Sequence, residues 1–303
     1  MLTILSFLFF FKGTDSSTLH NNPPVLKDKI EVFTGINNYH FSSNSFNLNK
    51  NRRLLLQPRK APYAGFYFQY KWLTVAFSTG VFQPKDQHNN NIKSFAVGLS
   101  HLDSSWGIAS SYRHYKGLEL IKGSNAQQVI FPNLTYSQLI VEGYRTLQKN
   151  FSLRRAFNYI DGDMYAAHSW LLFVHADAQQ WNEIPELRHD SITVIQQTSH
   201  QKYILNLVPE GGYAANWLIG HRGFNAALLA HSGVGPSSFS GKDMKPVAGF
   251  AWAVGTTAQV GFNGRFWYSF LMLKDDYLNY FGNVSGLPDY NQNSIAFTVG
   301  KRF

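Results

Sequence analysis

Histidine beside serine, with carboxylates close by, is the composition from which an acyl-transfer triad is assembled. The hydroxyl attacks, the imidazole takes its proton and the carboxylate orients the imidazole. His168-Ser169 with Asp161, Asp163 and Asp177 has that composition. The segment around it alternates with the period of a strand, however, and adjacent strand residues point to opposite faces. His168 and Ser169 therefore cannot pair directly, and His168 and His175 also differ in parity. With 11 histidines in 303 residues, groupings of this kind arise without a site. No catalytic residue is assigned, and an enzyme is the less favoured reading.

Other candidates are thinner still. His189-Asp190 and Asp275-Asp276 are pairs rather than sets and read as parts of solvated loops, so no metal site is expected. Gly241-Lys242 lacks the preceding glycine of a phosphate loop and has no helix after it. The chain has no cysteine, which excludes a disulfide framework, a thiolate zinc site and a cysteine nucleophile. No cofactor is expected. Asn133, Asn150 and Asn283 begin Asn-x-Ser/Thr triplets, which matter only in a glycosylating secretory pathway. Arg154 and Arg155 stand out among apolar neighbours, with Asp161 and Asp163 near in sequence. If they face an interior, the four could pair as a polar cluster that holds it together.

The elements that would position these residues are strands. The last nine residues put Ile295, Phe297, Val299 and Phe303 on one parity, with Ala296, Thr298, Gly300 and Arg302 on the other. Phe66, Phe68, Tyr70 and Trp72 share a face, as do Leu73, Val75, Phe77 and Val81, and then Phe95, Val97 and Leu99. Further strands are expected over 136–147, 165–181, 202–208, 212–221, 223–232, 247–262 and 265–273. In the last, Phe266, Tyr268, Phe270 and Met272 read as the apolar face. Loops rich in Asn, Gly, Pro and Ser are expected over 85–91, 233–243 and 282–293. The count is ten to twelve strands, of about nine to eleven residues where clearest, the length a tilted membrane strand needs.

Composition agrees. Charged residues are 15% of the chain, where a soluble domain has about 25%. Aromatics reach 16%, and mean hydropathy is −0.22. The longest apolar run, Leu2 to Phe11, falls short of the roughly 20 residues of a spanning helix, so a membrane could be crossed only by a closed barrel. The same run resembles the core of a signal peptide, though Lys12 follows it rather than precedes it. Residues 1–29 are therefore read as a signal-like segment and polar leader, and 30–303 as one barrel domain. The net charge of +9 comes from 27 scattered basic residues, densest at Lys50, Arg52, Arg53, Arg59 and Lys60. That scatter argues against nucleic acid and suits anionic headgroups or lipopolysaccharide phosphates.

Two resemblances extend the reading. A chain that stops on an aromatic at the end of an alternating strand resembles an outer-membrane barrel, in which the final aromatic, here Phe303, is part of the signal read by the barrel-assembly machinery. Ala61-Pro62-Tyr63-Ala64-Gly65-Phe66-Tyr67-Phe68-Gln69-Tyr70-Lys71-Trp72-Leu73 is similar to the glycine-rich strand running into "YKWL" of a Bacteroidetes-type family, domain of unknown function 4421. Asn150-Phe151-Ser152-Leu153-Arg154-Arg155-Ala156-Phe157-Asn158, Ser169-Trp170-Leu171-Leu172, Gly211-Gly212-Tyr213 and the Gly-basic-Arg-Phe tail fit it as well. The resemblance spans roughly residues 30–303. The family's Gln-Lys-Lys-rich run is replaced here by Asp161 to His168. The resemblance implies an exported barrel and no particular activity.

The expectation is thus an all-β, antiparallel up-and-down transmembrane barrel in the bacterial outer membrane of a Gram-negative cell envelope. Its role would be structural, ligand-binding or small-solute passage, in contact with outer-membrane lipids or lipopolysaccharide and with the assembly machinery. One alternative is a barrel enzyme modifying lipid or lipopolysaccharide, with Ser, His and a carboxylate converging at one rim. Another is a soluble periplasmic lipid-binding barrel, with an apolar interior and a polar exterior. Phe66, Phe68, Phe77, Phe266, Phe270 and Phe297 are the expected lipid-facing residues. Trp72, Tyr70, Trp170, Trp181 and Trp267 are candidates for interfacial girdles.

Overall fold

A side-chain period of two gives each segment two faces, and pairing between segments decides what those faces meet. The computed structural model describes residues 28–43, 54–58, 62–71, 73–81, 93–122, 127–158, 166–182, 185–187, 194–197, 201–220, 223–241, 244–264, 266–281 and 289–303. The elements are β1 (Lys29–Ser43), β2 (Leu54–Pro58), β3 (Pro62–Tyr70), β4 (Leu73–Gly80), β5 (Lys93–Leu102), β6 (Trp106–Lys122) and β7 (Gln127–Thr146), then α1 (Leu153–Asn158). After it come β8 (Ala167–Asn182), β9 (Pro185–Leu187), β10 (Val194–Gln197), β11 (Lys202–Ile219), β12 (Phe224–Gly241), β13 (Met244–Asn263), β14 (Trp267–Phe281) and β15 (Asp289–Arg302).

Each long strand pairs antiparallel with the next, and β15 returns to β1 from Lys29↔Arg302 to Ser42↔Asp289. Among the described residues this closes a 12-strand up-and-down barrel. The short β2 pairs with the last residues of β1 and with β6, and β9 and β10 form a separate hairpin. The register shows the tilt that closure demands. From Lys29, the first residue of β1, the paired positions run Gln69, Thr74, Ser100, Ala109, Glu142 and His175, the last in the middle of β8.

Glycines fix where the expected boundaries fail. Residues 233–241 of the loop expected over 233–243 are strand: β12 runs on to Gly241, because Gly233 and Gly235 sit tight against β11. A Cβ at either would collide with the carbonyl of Pro209 or of Leu207. Likewise the strands expected over 202–208 and 212–221 join in one, β11, which ends at Ile219 and carries Pro209 and Gly211 through in register with β8. Phe270 and its neighbours are also corrected. Tyr268 and Phe270 lie inside, Phe270 only 6% exposed, with Met272 packed against them, while Trp267, Leu271 and Leu273 face out. Both parities of β14 are apolar, and the glycines opposite decide between them. Gly300 leaves room for the Tyr268 ring, and a Cβ at Gly261 would lie 2.6 Å from that of Phe270.

The interior is layered. At the end where β1 begins and β15 ends, α1 enters the lumen, where Phe151, Leu153 and Ala156 pack on Leu171, Ala214 and Ala227. At the opposite end Tyr136, Leu134, Phe131, Trp181 and Ile204 form an apolar cluster. Tyr136 and Trp181 meet with ring centroids 4.6 Å apart, so Trp181 belongs to the lumen and not to a girdle. Charged and amide side chains fill the space between the two clusters. The outer surface is apolar, with Val32, Phe66, Leu99, Leu172, Leu205 and Phe297 among its exposed residues.

Candidate functional site

A dense collection of chemistry-bearing side chains among the described residues is the polar belt inside the wall. It is built by parity: Leu172 and Val174 face out, so His175 and Asp177 face in. Glu142 of β7 pairs across the ladder with His175 of β8, and Oε1 lies 3.2 Å from Nδ1. Glu210 of β11 holds Nδ1 of His231 in β12. His231 has room because both of its ladder partners, Gly212 and Gly255, lack a side chain. A Cβ at Gly255 would strike the His231 ring and come within 3.0 Å of Asp276 Oδ1. Asp276 in turn takes an ion pair from Lys274 at 2.8 Å.

One step nearer the apolar cluster, Asp177 is buried and accepts from three amides, Gln138 at 3.0 Å, Gln179 at 2.6 Å and Asn206 at 3.1 Å. Gln179 and Asn206 also donate to the Tyr280 hydroxyl, each at 3.2 Å. Arg113 reaches across the lumen to Gln292, 2.6 Å, and Tyr290, 3.3 Å, although β1, β3, β4 and β5 separate their strands along the wall. These are bonds that tie opposite walls together. Each charge has a partner, as burial requires.

The triad composition is dispersed. Ser169 is buried, its Oγ accepting from the N–H groups of Leu147 and Gln148 at 3.1 Å and donating to the Trp170 carbonyl at 2.6 Å. His168 points out and stacks on Tyr213. Ser169 therefore anchors the chain leaving β7 and has no imidazole beside it. Asp275 and Asp276 lie within β14 rather than in a loop, one exposed outside and one inside. No group of three or more potential metal ligands occurs among the described residues. His189-Asp190, Lys242, Asp161, Asp163 and Trp72 lie outside the described residues.

Arg154 lies on α1, 3% exposed, and donates from Nη1 to the Leu102 carbonyl at 3.2 Å, while Arg155 is half-buried. Outside, Phe66, Phe68, Phe77, Phe266 and Phe297 are exposed, Phe297 to 48%, in contrast to Phe270. Tyr70, Trp170 and Trp267 are also exposed. Phe303 is exposed, and its N–H donates to the Asp28 carbonyl at 2.9 Å. The sequence reading missed Glu142, Glu210, His231, Lys274 and Arg113. The signal was available: a charge in mid-strand, on the parity opposite large apolar residues, has to face a polar interior.

The structure is similar to the translocator domain of the autotransporter NalP from Neisseria meningitidis, at 16% identity, 94% of this chain and 90% of that chain, and a TM-score of 0.46. It is also similar to an outer membrane channel from Pseudomonas putida F1, at 9% identity, covering 94% and 99% of the two chains with a TM-score of 0.42. The beta domain of the Bordetella autotransporter Brka gives 10% identity, coverage of 91% and 100%, and a TM-score of 0.43. No protein of curated function matches. One family model, described as Domain of unknown function (DUF4421), matches residues 15–303, and the chain belongs to that family.

Proposed function

We propose that the chain is a barrel of the bacterial outer membrane with a structural or ligand-binding role, its lumen filled by its own side chains. A single observation carries this reading: the wall is apolar outside and charged inside, with Phe297, Ile295 and Val299 outward from β15 and Gln292, Ser294 and Arg302 inward. A soluble lipid carrier needs the reverse. Lipid-facing residues are then Phe66, Phe68, Phe77 and Phe297, with Phe266 at the rim. At the end where β1 begins, the strand bounds leave four residues or fewer between β3 and β4, β5 and β6, β11 and β12, and β13 and β14, the longer β7–β8 connection with α1 being the exception. We read that end as periplasmic because such barrels have short periplasmic turns. Phe303 at that rim is the segment offered to the assembly machinery. Passage of small solutes is the second reading. It would require α1 and the bridging pairs to move, because Arg113 spans the lumen to Gln292. A lipid-modifying enzyme has less support, because Ser169 Oγ is fully engaged with backbone groups.

The test is fractionation of the native envelope beside a heat-modifiability gel of refolded protein, with planar-bilayer recordings. Recovery in the outer membrane, a fast-migrating unheated band and no steady conductance are expected. Recovery in the soluble periplasm without a mobility shift would overturn the proposal.

A further inference from the structure

At the rim where β1 begins and β15 ends, two lysines flank the seam where β15 meets β1. Lys301 is exposed on the outer face, paired with Ile30 of β1 and Trp267 of β14. Its Nζ stands 5.4 Å from the Trp267 ring centroid and 5.2 Å from that of Phe303. Lys71 occupies the turn between β3 and β4, exposed, with Nζ 5.1 Å from the Tyr70 ring centroid. Among the described residues, no carboxylate forms an ion pair with either lysine.

The backbone supplies an independent observation. Lys71 has φ of 52°, the one non-glycine residue in the left-handed region among the described residues. That conformation is unfavourable for a residue with a Cβ, and glycine or asparagine would adopt it more readily. It is held by Asp28, whose Oδ1 accepts the Lys71 N–H at 2.9 Å and whose carbonyl accepts the Phe303 N–H at 2.9 Å. One residue thus ties the turn bearing Lys71 to the chain end bearing Lys301. Only β1 lies between β15 and β3, so the strands that carry the two lysines are about 10 Å apart. Ile30 and Phe68, both exposed, lie between them.

Ammonium groups stacked on aromatic rings at the edge of an apolar surface are suited to an anion just outside the hydrocarbon. The ligand must present a phosphate at the rim and apolar chains along the wall. We propose that Lys71 and Lys301 form a site for the headgroup phosphate of an anionic phospholipid in the leaflet at this rim, with its acyl chains over Ile30 and Phe68. The proposal rests on the membrane reading above. A basic residue near an anionic surface contributes about fivefold in affinity, so the pair should contribute about thirtyfold.

The full chain is refolded into phosphatidylcholine nanodiscs containing a minor share of phosphatidylglycerol. The lipid kept after extraction into mild detergent is counted by native mass spectrometry. The wild type should retain phosphatidylglycerol over phosphatidylcholine. Lys71→Asn, chosen because asparagine accepts the left-handed turn, and Lys301→Gln should each weaken that preference about fivefold, with Lys71→Arg and Lys301→Arg restoring it. No preference in the wild type, or an unchanged preference in the double variant, overturns the site. Displacement of the lipid by inorganic phosphate alone would assign it to free phosphate and overturn the lipid assignment. Failure of the wild type to enter the disc at all would instead refute the membrane reading.

Discussion

Replacing Glu31 by alanine should loosen the barrel where it closes. Lys29 is fully buried at the start of β1, and its Nζ meets Glu31 Oε1 at 2.6 Å. The same oxygen accepts the Tyr268 hydroxyl at 2.7 Å. Arg302, the ladder partner of Lys29, is buried over the same Tyr268 ring, its guanidinium carbon 4.4 Å from the centroid. Glu31 is therefore the carboxylate that pairs with buried Lys29 and, through Tyr268, joins the first strand to β14 and to the ring under Arg302. Removing one partner of a buried pair costs about 3–5 kcal/mol, because a desolvated charge is left behind. The loss should be about 4 kcal/mol, roughly three decades in the folding equilibrium. Replacing Lys29 and Glu31 together by methionine removes both charges and should recover most of that loss. The assay is urea unfolding in lipid vesicles, followed by tryptophan emission and by the heat-modifiable band. An unchanged urea slope would show that both variants unfold the same surface. A loss below about 1 kcal/mol for Glu31→Ala, or a double variant no better than the single, would refute the idea that the loss comes from leaving Lys29 buried without its carboxylate.

Gly261→Ala should destabilise by about 1–3 kcal/mol through overpacking against Phe270, whereas Gly98→Ala, whose Cβ would meet nothing closer than 3.5 Å, should be near neutral; urea midpoints decide. Ser169→Ala leaves the Leu147 and Gln148 N–H groups without their acceptor and should cost about 1–3 kcal/mol in the same assay; an unaffected midpoint would show that the bonds contribute nothing. Phe297→Arg places a charge on the outer wall and should cost about 2–4 kcal/mol of stability in vesicles; a neutral result would place Phe297 outside the bilayer. Deleting residues 151–158 removes α1 and should introduce ion conductance in planar bilayers. A silent deletion variant would show that the crossing pairs, not α1, close the lumen.

The strands were legible wherever one parity was large and apolar and the other small. β15 alternates Ile295, Phe297 and Val299 with Ala296, Thr298 and Gly300, and its faces are as the pattern indicates. β14 was legible as a strand but its faces were not, because Tyr268 and Phe270 inside are as apolar as Leu271 and Leu273 outside. What separates them is Gly261 and Gly300 on neighbouring strands, a long-range fact. The same holds for Gly233 and Gly235, which locally signal a turn and in the barrel permit close approach to β11. The belt was hidden for a related reason. Glu210 and His231 are 21 residues apart in sequence, with nothing local linking them.

The order of the layers bears on what the interior can do. A through-channel needs a continuous polar surface from mouth to mouth, and a ligand cavity needs side chains that stop short of the opposite wall. Here the polar belt lies between the α1 packing at the end where β1 begins and the Tyr136–Trp181 cluster at the other. Within it Arg113 reaches Gln292, and Gln179 reaches Tyr280, each bond linking distant strands. Charges enclosed in this way cannot be exchanged for water without breaking a pair, which is costly when the partner remains buried. The belt therefore resists dilation of the barrel and fixes its cross-section. Any solute path has to open at both apolar ends as well as through the belt. The outer wall asks for no such concerted change, and it is there, at the rim lysines and the apolar strands beside them, that this barrel is best placed to meet a ligand.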